Sequence, residues 1–275
     1  AEIISIKGKK DQLNYMWRRD ASQWANSAPI LFPIVGALRN DTCVINGKEY
    51  HMTQHGFARH NEFETNQVSD TEVIFSLKSN DEIIKQYPFL FELNVTYRLV
   101  ENKLTCHIEV KNTDHQPIYF QVGGHPAFAC PFMENESSND YYLEFSENET
   151  CNRKIIDVEK RGMSRVEKPF FDNEKRFFVR QELFNTDAIV IKNFKSENIA
   201  LKSLNHDKSI VFHMNGFDHV GLWAAKHVGG LIAIEPWVGH ADYTDFNGEF
   251  KEKESCVELP VGKNFEVEFA VEINQ

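Results

Sequence analysis

The sequence is short of cysteine, basic residues and long apolar runs, and each shortage excludes a class of protein. Its five cysteines are widely spaced and form no Cys-x-x-Cys pair, which argues against a disulfide framework or a thiolate zinc site. Lysine and arginine total 30 against 41 acidic residues, and the net charge of −11 is unsuited to nucleic acid. No apolar run could form a membrane-spanning helix. We therefore expect a cytoplasmic protein with reduced thiols that binds neither nucleic acid nor membrane.

Several chemical motifs are also missing. No Gly-x-Ser-x-Gly elbow, phosphate-binding loop or Gly-x-Gly-x-x-Gly segment follows an expected strand, which argues against a serine hydrolase, a P-loop protein or a Rossmann enzyme. The spacing of His51, His55 and His60 matches no helix-borne zinc motif. We expect neither a metal nor a cofactor. Residues 1–6 carry no signal-peptide pattern and look like a strand, so we expect the natural N-terminus to extend further.

What the sequence does contain is alternation of apolar and polar residues with period two, the pattern of half-buried strands. The most regular example runs from Phe89 to Val110 and predicts a long antiparallel hairpin. Asn46-Gly47 between strand-like flanks predicts a tight hairpin turn. Further strands are predicted at 72–77, 141–145, 176–179, 188–192, 199–204, 210–214, 220–224, 231–234 and 265–273.

Helical patterns are scarce, and only 81–85 resembles a short helical turn. The polar segment 134–139 predicts a surface loop, and 172–175 predicts a turn. Neither is typical of a domain linker, and there is no internal repeat. The sequence therefore predicts one all-β domain over residues 1–275, in which a second sheet covers the apolar face of the first.

The first candidate for chemistry is a histidine at a stiff strand end. The apolar residues 118–120 run into Gly123-Gly124, and His125 is held before Pro126. Glycine permits a bend or a close approach, and proline restricts the residue before it to extended geometry. The stretch alone is equally consistent with an ordinary turn that contains a histidine.

The second candidate is Glu235, at the end of the apolar run 231–234. Apolar surroundings raise the pKa of a carboxyl group and make it an effective base near neutrality. Trp237 lies on the same strand face if the strand continues past Pro236, and an indole beside a carboxylate can hold the apolar face of a sugar ring. The alternatives are a glutamate paired with an arginine and a tryptophan that only packs.

Two further side chains could contact a ligand. His55 could donate a hydrogen bond to a ligand or simply occupy a turn. Arg59 could bind a hydroxyl or a phosphate, although a salt bridge is the obvious alternative in an acidic chain.

These segments together resemble the aldose 1-epimerase, or galactose mutarotase-like, family, and within it the bacterial branch associated with lactose operons. The resemblance runs from the first residues to the last strand. The family implies a β-supersandwich of two large twisted antiparallel sheets and a reaction at the anomeric carbon of a free sugar. The motifs that carry it are Phe-Pro-Ile-Val-Gly at 32–36, Asn-Gly-Lys-Glu-Tyr at 46–50, His-Gly-Phe-Ala-Arg at 55–59, Gly-Gly-His-Pro-Ala-Phe at 123–128 and Glu-Pro-Trp at 235–237.

Carried over motif by motif, the resemblance assigns His125 as the general acid and Glu235 as the general base. It assigns His55 to the substrate's ring oxygen and Asp187 to a sugar hydroxyl, and Arg59 becomes a contact to a hydroxyl or phosphate. Two departures stand out. Ala37 occupies a position where this branch commonly has arginine, for which Arg39, expected on the same strand face, is a candidate replacement. The family's first strand would also precede residue 1.

The chemistry suits these residue types. Opening a pyranose removes the proton of the anomeric hydroxyl while the ring oxygen is protonated, so we expect an acid and a base that face each other across a sugar-sized gap. No cofactor is required. The alternatives are a hexose-6-phosphate 1-epimerase, which needs converging cationic side chains, and a sugar-binding domain without catalysis. The preferred hexose and the oligomeric state stay open, and a homodimer is the assembly that we consider.

Overall fold

The computed structural model describes residues 1–225 and 230–275, and strands dominate it. One short α-helix, α1 (Asp81–Ile84), lies at the predicted helical turn. The strands are β1 (Ile30–Leu31), β2 (Thr42–Ile45), β3 (Lys48–His51), β4 (Glu64–Ser69), β5 (Glu72–Lys78), β6 (Phe91–Val100), β7 (Lys103–Asn112), β8 (Ile118–Phe120), β9 (Val122–Gly124), β10 (Ala127–Cys130), β11 (Tyr141–Asp157), β12 (Gly162–Phe178), β13 (Ile189–Lys192), β14 (Asn198–Ser203), β15 (Ser209–Asn215), β16 (His219–Trp223), β17 (Gly230–Val238), β18 (Val257–Leu259) and β19 (Asn264–Asn274).

Within the described residues, fifteen of these strands form one hydrogen-bonded sheet, thirteen of them along a single path, and two small sheets of two strands each accompany it. The main path runs β1-β9-β17-β16-β13-β11-β14-β15-β19-β7-β6-β5-β4, with β10 paired to β17 and β12 to β11. The small sheets are β18-β8 and β2-β3, the latter joined by the predicted Asn46-Gly47 turn.

The two halves of the path pack face to face. Gly124 on β9 abuts the ring of Phe269 on β19, although these strands are far apart in the sheet order. Phe128 on β10 similarly meets Phe212 on β15, with ring centroids 6.0 Å apart. A contiguous cluster of buried apolar side chains fills the space between the halves. The predicted β-supersandwich is therefore confirmed.

The central strands follow from their patterns. The hairpin predicted over 89–110 is β6 and β7, with Leu93 opposite Val110 and Val95 opposite Ile108, all buried. β19 then pairs with β7 and presents Val267, Phe269 and Val271 to the core while its glutamates face outward. Period-two patterning specifies register because a slip by one residue would turn every apolar side chain toward water.

The β11–β12 hairpin corrects two predictions. The strands expected at 141–145 and 176–179 extend to 17 residues each. The expected turn at 172–175 is wrong, because these residues lie inside β12, where the pairing register shifts between Thr150 and Glu149. Asn173 adopts φ +58° there. The polar residues therefore occupy a β-bulge-like irregularity in the strand. Such an irregularity favours residues that tolerate positive φ, as a turn does.

The beginning of the chain differs from expectation too. Residues 1–6 form no strand, and the nearest pairing is an isolated bridge between Lys7 and Asn14. Ile4 is exposed, so the apolar residues there do not share one buried face. The thiols agree with the prediction, since the cysteines in the structure are free and Cys43, Cys106 and Cys130 are buried. Among the described helices, none is long and apolar enough to cross a membrane.

Candidate active site

The strands β9, β17 and β16 lie close together and position the two main candidates, His125 and Glu235. Glu235 and Trp237 extend from β17, which continues past Pro236 as their shared face requires. A Cβ on Gly123 would lie 2.7 Å from the backbone oxygen of Pro236, and one on Gly221 would lie 2.7 Å from the Trp237 ring. Glycine is thus required at both positions so that the strands and the indole can approach. The space left by the missing side chains of Gly123 and Gly124 is filled by β17 and the ring of Phe269, rather than being open to a ligand.

His125 occupies the short connection between β9 and β10. Its backbone N–H donates to the carbonyl of Pro29 at 3.0 Å, which fixes the connection against the segment before β1. Nε2 of His125 lies 3.2 Å from Oε2 of Glu235, and the two side chains are only 10% and 2% exposed. The expected sugar-sized gap between the two groups is therefore wrong in this structure, where they touch.

Burial controls the protonation of this pair. It lowers the pKa of His125 to about 3, and the charge of Arg59 acts in the same direction. Burial also raises the pKa of Glu235 well above its usual range, with a further contribution from the carboxylate of Asp187, while the N–H of Trp237 opposes the shift. Both shifts favour the uncharged forms of two groups in contact, a neutral imidazole and a protonated carboxyl group.

Aromatic rings enclose His125. Trp24 stacks on its imidazole with centroids 4.6 Å apart, and Trp223 meets it edge-on at 5.6 Å. These indoles exclude water from the imidazole, which is the physical origin of its low pKa. They also limit its rotation, so Nε2 stays directed toward Glu235.

His55 is held as a hydrogen-bond donor. Its Nδ1 accepts the N–H of Gly36 at 3.1 Å, and burial lowers its pKa well below the usual value. A neutral imidazole that accepts at Nδ1 carries its proton on Nε2. The ring lies 5.6 Å from that of His125. His55 therefore directs Nε2 beside the His125–Glu235 pair, where the side-chain amide of Gln54 lies 3.3 Å from it.

One cavity of about 470 Å³ brings these groups together, within the range of small-molecule sites. Six of the predicted residues line it, namely His55, Arg59, His125, Asp187, Glu235 and Trp237. Among the described residues, three buried atoms in the cavity lack a hydrogen-bond partner: Nδ1 of His125, Oε2 of Glu235 and Nε1 of Trp237. Unsatisfied buried polar atoms are costly, so their concentration here is typical of a site that binds a polar ligand.

Comparison with known proteins identifies the family. A family model described as aldose 1-epimerase matches residues 1–258. The chain belongs to the aldose 1-epimerase family. Two LacX proteins of Lactococcus lactis subsp. lactis, one plasmid-borne and one chromosomal, are each 36% identical over 252 residues, which cover 86% of this chain and 82% of theirs.

Solved structures of the same family are also similar. A galactose mutarotase related enzyme from Lactobacillus acidophilus superposes with a TM-score of 0.95 at 30% identity, covering 100% of this chain and 92% of that one. A galactose mutarotase-like protein from Lactobacillus casei gives a TM-score of 0.92 at 30% identity and covers 99% and 94%. The fold predicted from the family resemblance is thus the fold of its relatives.

The family's arginine has no direct replacement at Arg39. Ala37 lines the cavity, but Arg39 begins a 3₁₀ turn instead of continuing a strand, and its guanidinium donates to the backbone oxygen of Phe246 outside the cavity. The expectation that Arg39 shares a strand face with residue 37 is therefore wrong. Asn40 and Asp41 both have positive φ, which ends the extended backbone here.

The other candidate ligand contacts, Arg59 and Asp187, differ in how far they are buried. Arg59 is half-buried, and its Nε donates to His60 at 3.2 Å. Asp187 is exposed at the cavity rim, where its φ of +81° turns the chain before β13. His55 also has positive φ, at +66°. Such backbone is uncommon outside glycine and recurs where side chains must be aimed at a ligand.

Sequence reasoning assigned no role to four other cavity residues, and all but Gln54, which adjoins the His-Gly-Phe-Ala-Arg motif, come from segments without a local motif. Trp24 precedes β1, Trp223 ends β16, Gln54 precedes His55, and Arg161 lies at the turn between β11 and β12. The tryptophans were the available signal, since only four occur in the chain. His51 and His60 are exposed and, within the described part of the chain, do not group with His55 as metal ligands.

Proposed function

We propose that this protein is an aldose 1-epimerase that interconverts the α and β anomers of a free hexose by general acid and base catalysis. The observation that carries the proposal is the buried contact of 3.2 Å between Nε2 of His125 and Oε2 of Glu235, inside a cavity whose polar atoms lack partners. A binding site alone has no need of two adjacent ionisable groups that are shielded from water.

The contact suits the reaction better than a wide gap would. The anomeric hydroxyl and the ring oxygen are bonded to the same carbon, so an acid and a base that lie side by side can reach both. His125 serves the ring oxygen and Glu235 the anomeric hydroxyl, as the family resemblance implies. The N–H of His55 is a further donor toward the ring oxygen.

Ring opening transfers the hydroxyl proton to Glu235, forms the carbonyl, breaks the bond between the anomeric carbon and the ring oxygen, and passes a proton from His125 to that oxygen. Rotation about the bond beside the carbonyl precedes reclosure, which reverses every transfer. Opening starts with a proton on Nε2 of His125 and with Glu235 ionised. It ends with the hydroxyl proton on Glu235 and with His125 neutral, which is the state from which reclosure starts. Moving the proton across their contact interconverts the two forms without creating net charge in the buried site.

The cavity charges favour a free hexose over a hexose 6-phosphate. Among the described residues, Arg59 and Arg161 are the arginines that line the cavity. Arg161 is held by Asp41 through two hydrogen bonds, of 2.9 and 3.1 Å, which neutralise it. Asp187 and Glu235 face the same space. One unpaired guanidinium beside two carboxyl groups is a weak site for a phosphate dianion.

The test is polarimetry on freshly dissolved α-glucose and α-galactose, with hexose 6-phosphates in the same assay. We expect His125→Asn and Glu235→Gln each to lower the rate by about 10² to 10⁴. His213→Asn is the matched control, because His213 also lies 3.0 Å from a glutamate but on the surface of β15. Parent-like rates in both site variants would refute the assignment, and saturable sugar binding without acceleration in the parent would favour the binding-domain alternative.

A further inference from the structure

A second group of polar side chains lies beside the proposed active site and takes no part in it. His219 begins β16, His240 follows β17, and Glu254 follows the 3₁₀ turn Phe250–Glu252. One potential ligand atom from each lies within 4.8 Å of the other two. His219 pairs with Trp237 in the sheet, so this group adjoins the cavity wall.

Both histidines are buried with one nitrogen unsatisfied. They are 0% and 2% exposed, and Nε2 of each lacks a hydrogen-bond partner among the described residues. Nδ1 of His219 lies 2.8 Å from a carboxylate oxygen of Asp218, and Nδ1 of His240 lies 2.6 Å from the carbonyl of Ala241. Because these oxygens only accept, both Nδ1 atoms carry protons, which leaves Nε2 of each ring as the nitrogen that can face a ligand.

A carboxylate completes the group. Oε2 of Glu254 lies 3.5 Å from Nε2 of His240. Tyr243 donates to the same oxygen, and Lys192 pairs with the other oxygen at 2.5 Å. His240, Lys192 and Tyr243 together hold the pKa of Glu254 well below its usual range, so the carboxylate is ionised and oriented, and its oxygens can accept a further partner. One nitrogen from each imidazole and one carboxylate oxygen thus lie within 4.8 Å of one another.

We propose that His219, His240 and Glu254 bind a divalent transition-metal ion of the zinc class. Tetrahedral zinc with bonds of about 2.0–2.1 Å separates its ligand atoms by about 3.3 Å. The distance of 3.5 Å between Nε2 of His240 and Oε2 of Glu254 is close to this value. The other ligand atoms, which lie within 4.8 Å, would move closer together when the ion binds. Two imidazoles and one carboxylate are a common zinc ligand set that leaves a fourth position for water.

The surroundings match a metal site in a second respect. Histidine ligands usually donate their other ring N–H to a carboxylate or backbone carbonyl, which fixes the tautomer, and His219 and His240 make one bond of each kind. Asp218 is further held by the hydroxyl of Ser255 and the N–H of Gly239. The ion would join β16 to the segments after β17 and before β18, so its role is to stabilise the fold around the cavity.

The experiment measures zinc binding to the full chain without an affinity tag, after chelator treatment and dialysis. Competition with a chromophoric chelator gives stoichiometry and affinity, and Co²⁺ reports tetrahedral geometry through its visible absorption. We expect one ion per chain, and a folding equilibrium favoured by about 100-fold when free zinc is 100 times Kd. His219→Gln and Glu254→Gln should weaken binding by more than 100-fold, and Asp218→Asn by about 10- to 100-fold.

His213→Gln is the control for adventitious binding at a surface histidine beside a glutamate. Absence of stoichiometric zinc, equal loss in the control, or full binding in His219→Gln would each overturn the proposal, and the histidines would then form a proton-linked polar network. If circular dichroism shows that His219→Gln does not fold, His240→Gln and Glu254→Gln decide the question. Neither result depends on whether the protein is an epimerase.

Discussion

Gly123→Ala should damage the proposed active site through the backbone alone. An added Cβ would lie 2.7 Å from the backbone oxygen of Pro236 and 2.9 Å from the Trp237 ring. Neither contact can be relieved by a change of rotamer at residue 123, so β17 must shift. Overpacking of this kind costs about 1–3 kcal/mol, and alanine recovers about 0.5–1 kcal/mol of the backbone entropy that glycine loses. We expect a net destabilisation of about 1–2 kcal/mol.

Such a loss corresponds to a Tm lower by about 2–8 °C for a chain of this size. The effect on activity should be larger, because Glu235 and Trp237 move with the strand, and a displacement of about 1 Å can cost about 10²-fold in rate. Calorimetry gives the Tm, and polarimetry at 25 °C, well below the transition, gives kcat/KM. Because the protein is fully folded at 25 °C, a lower kcat/KM at this temperature reports displaced active-site residues and not unfolded protein.

Gly124→Ala is the matched control. Its Cβ would lie 2.8 Å from the ring of Phe269, on the core side, and would not press on β17. We expect it to lower Tm by a similar amount while kcat/KM of the folded protein stays near that of the parent. If Gly123→Ala retains the parent's kcat/KM, or if both variants lose activity equally, the close approach of β9 to β17 does not position the acid and base.

Three further predictions concern the charges and rings around the pair. The rate should form a plateau through neutral pH: it falls on the acid side only as pH approaches the His125 pKa of about 3, and on the basic side when Glu235, whose pKa is raised, loses its proton. In a pH–rate series, an acid limb at an ordinary histidine value near 6.5 would contradict this. Asp187→Asn removes a charge that raises the pKa of Glu235, so the basic limb should move to lower pH, whereas a move to higher pH would be incompatible with the assigned cause. Trp24→Ala opens His125 to water and should raise its pKa, so the acid limb in the same pH–rate series should move to higher pH, and an unchanged limb would show that the stacked indole does not desolvate the imidazole.

Most of the fold could be predicted from the sequence because half-buried strands impose a period of two. The β6–β7 hairpin and β19 were predicted nearly to their ends, since each has one face in the core. The β11–β12 hairpin was underestimated because much of its length is exposed, and an exposed strand needs no apolar alternation. Its strands pair through backbone hydrogen bonds, which any residue except proline can donate, so the amino-acid sequence gives little indication of them.

The site was predictable where a motif fixes the local backbone and unpredictable where contacts join distant segments. His55 and His125 lie in motifs that bend or end strands. The strand end predicted at Glu235 is wrong, because β17 continues to Val238, but the structure still brings the three side chains together. Nothing near Trp24 indicates that it stacks on a side chain a hundred residues later. The prediction for Arg39 was wrong because it assumed a strand through residues 37–39, whereas positive φ at Asn40 and Asp41 ends the extended backbone there.

The distribution of unsatisfied atoms links the two proposed sites. Among the described residues, five of the seven buried side-chain atoms without partners belong either to the cavity or to the group at His219, and β16 contributes residues to both groups. A sheet tolerates such atoms when ligands satisfy them, and two ligands of different chemistry would do so here. Independence can be tested directly: zinc affinity should be unchanged in His125→Asn, because that imidazole faces Glu235 rather than His219. A large loss of zinc affinity in this variant would instead mean that the two groups form one coupled polar network.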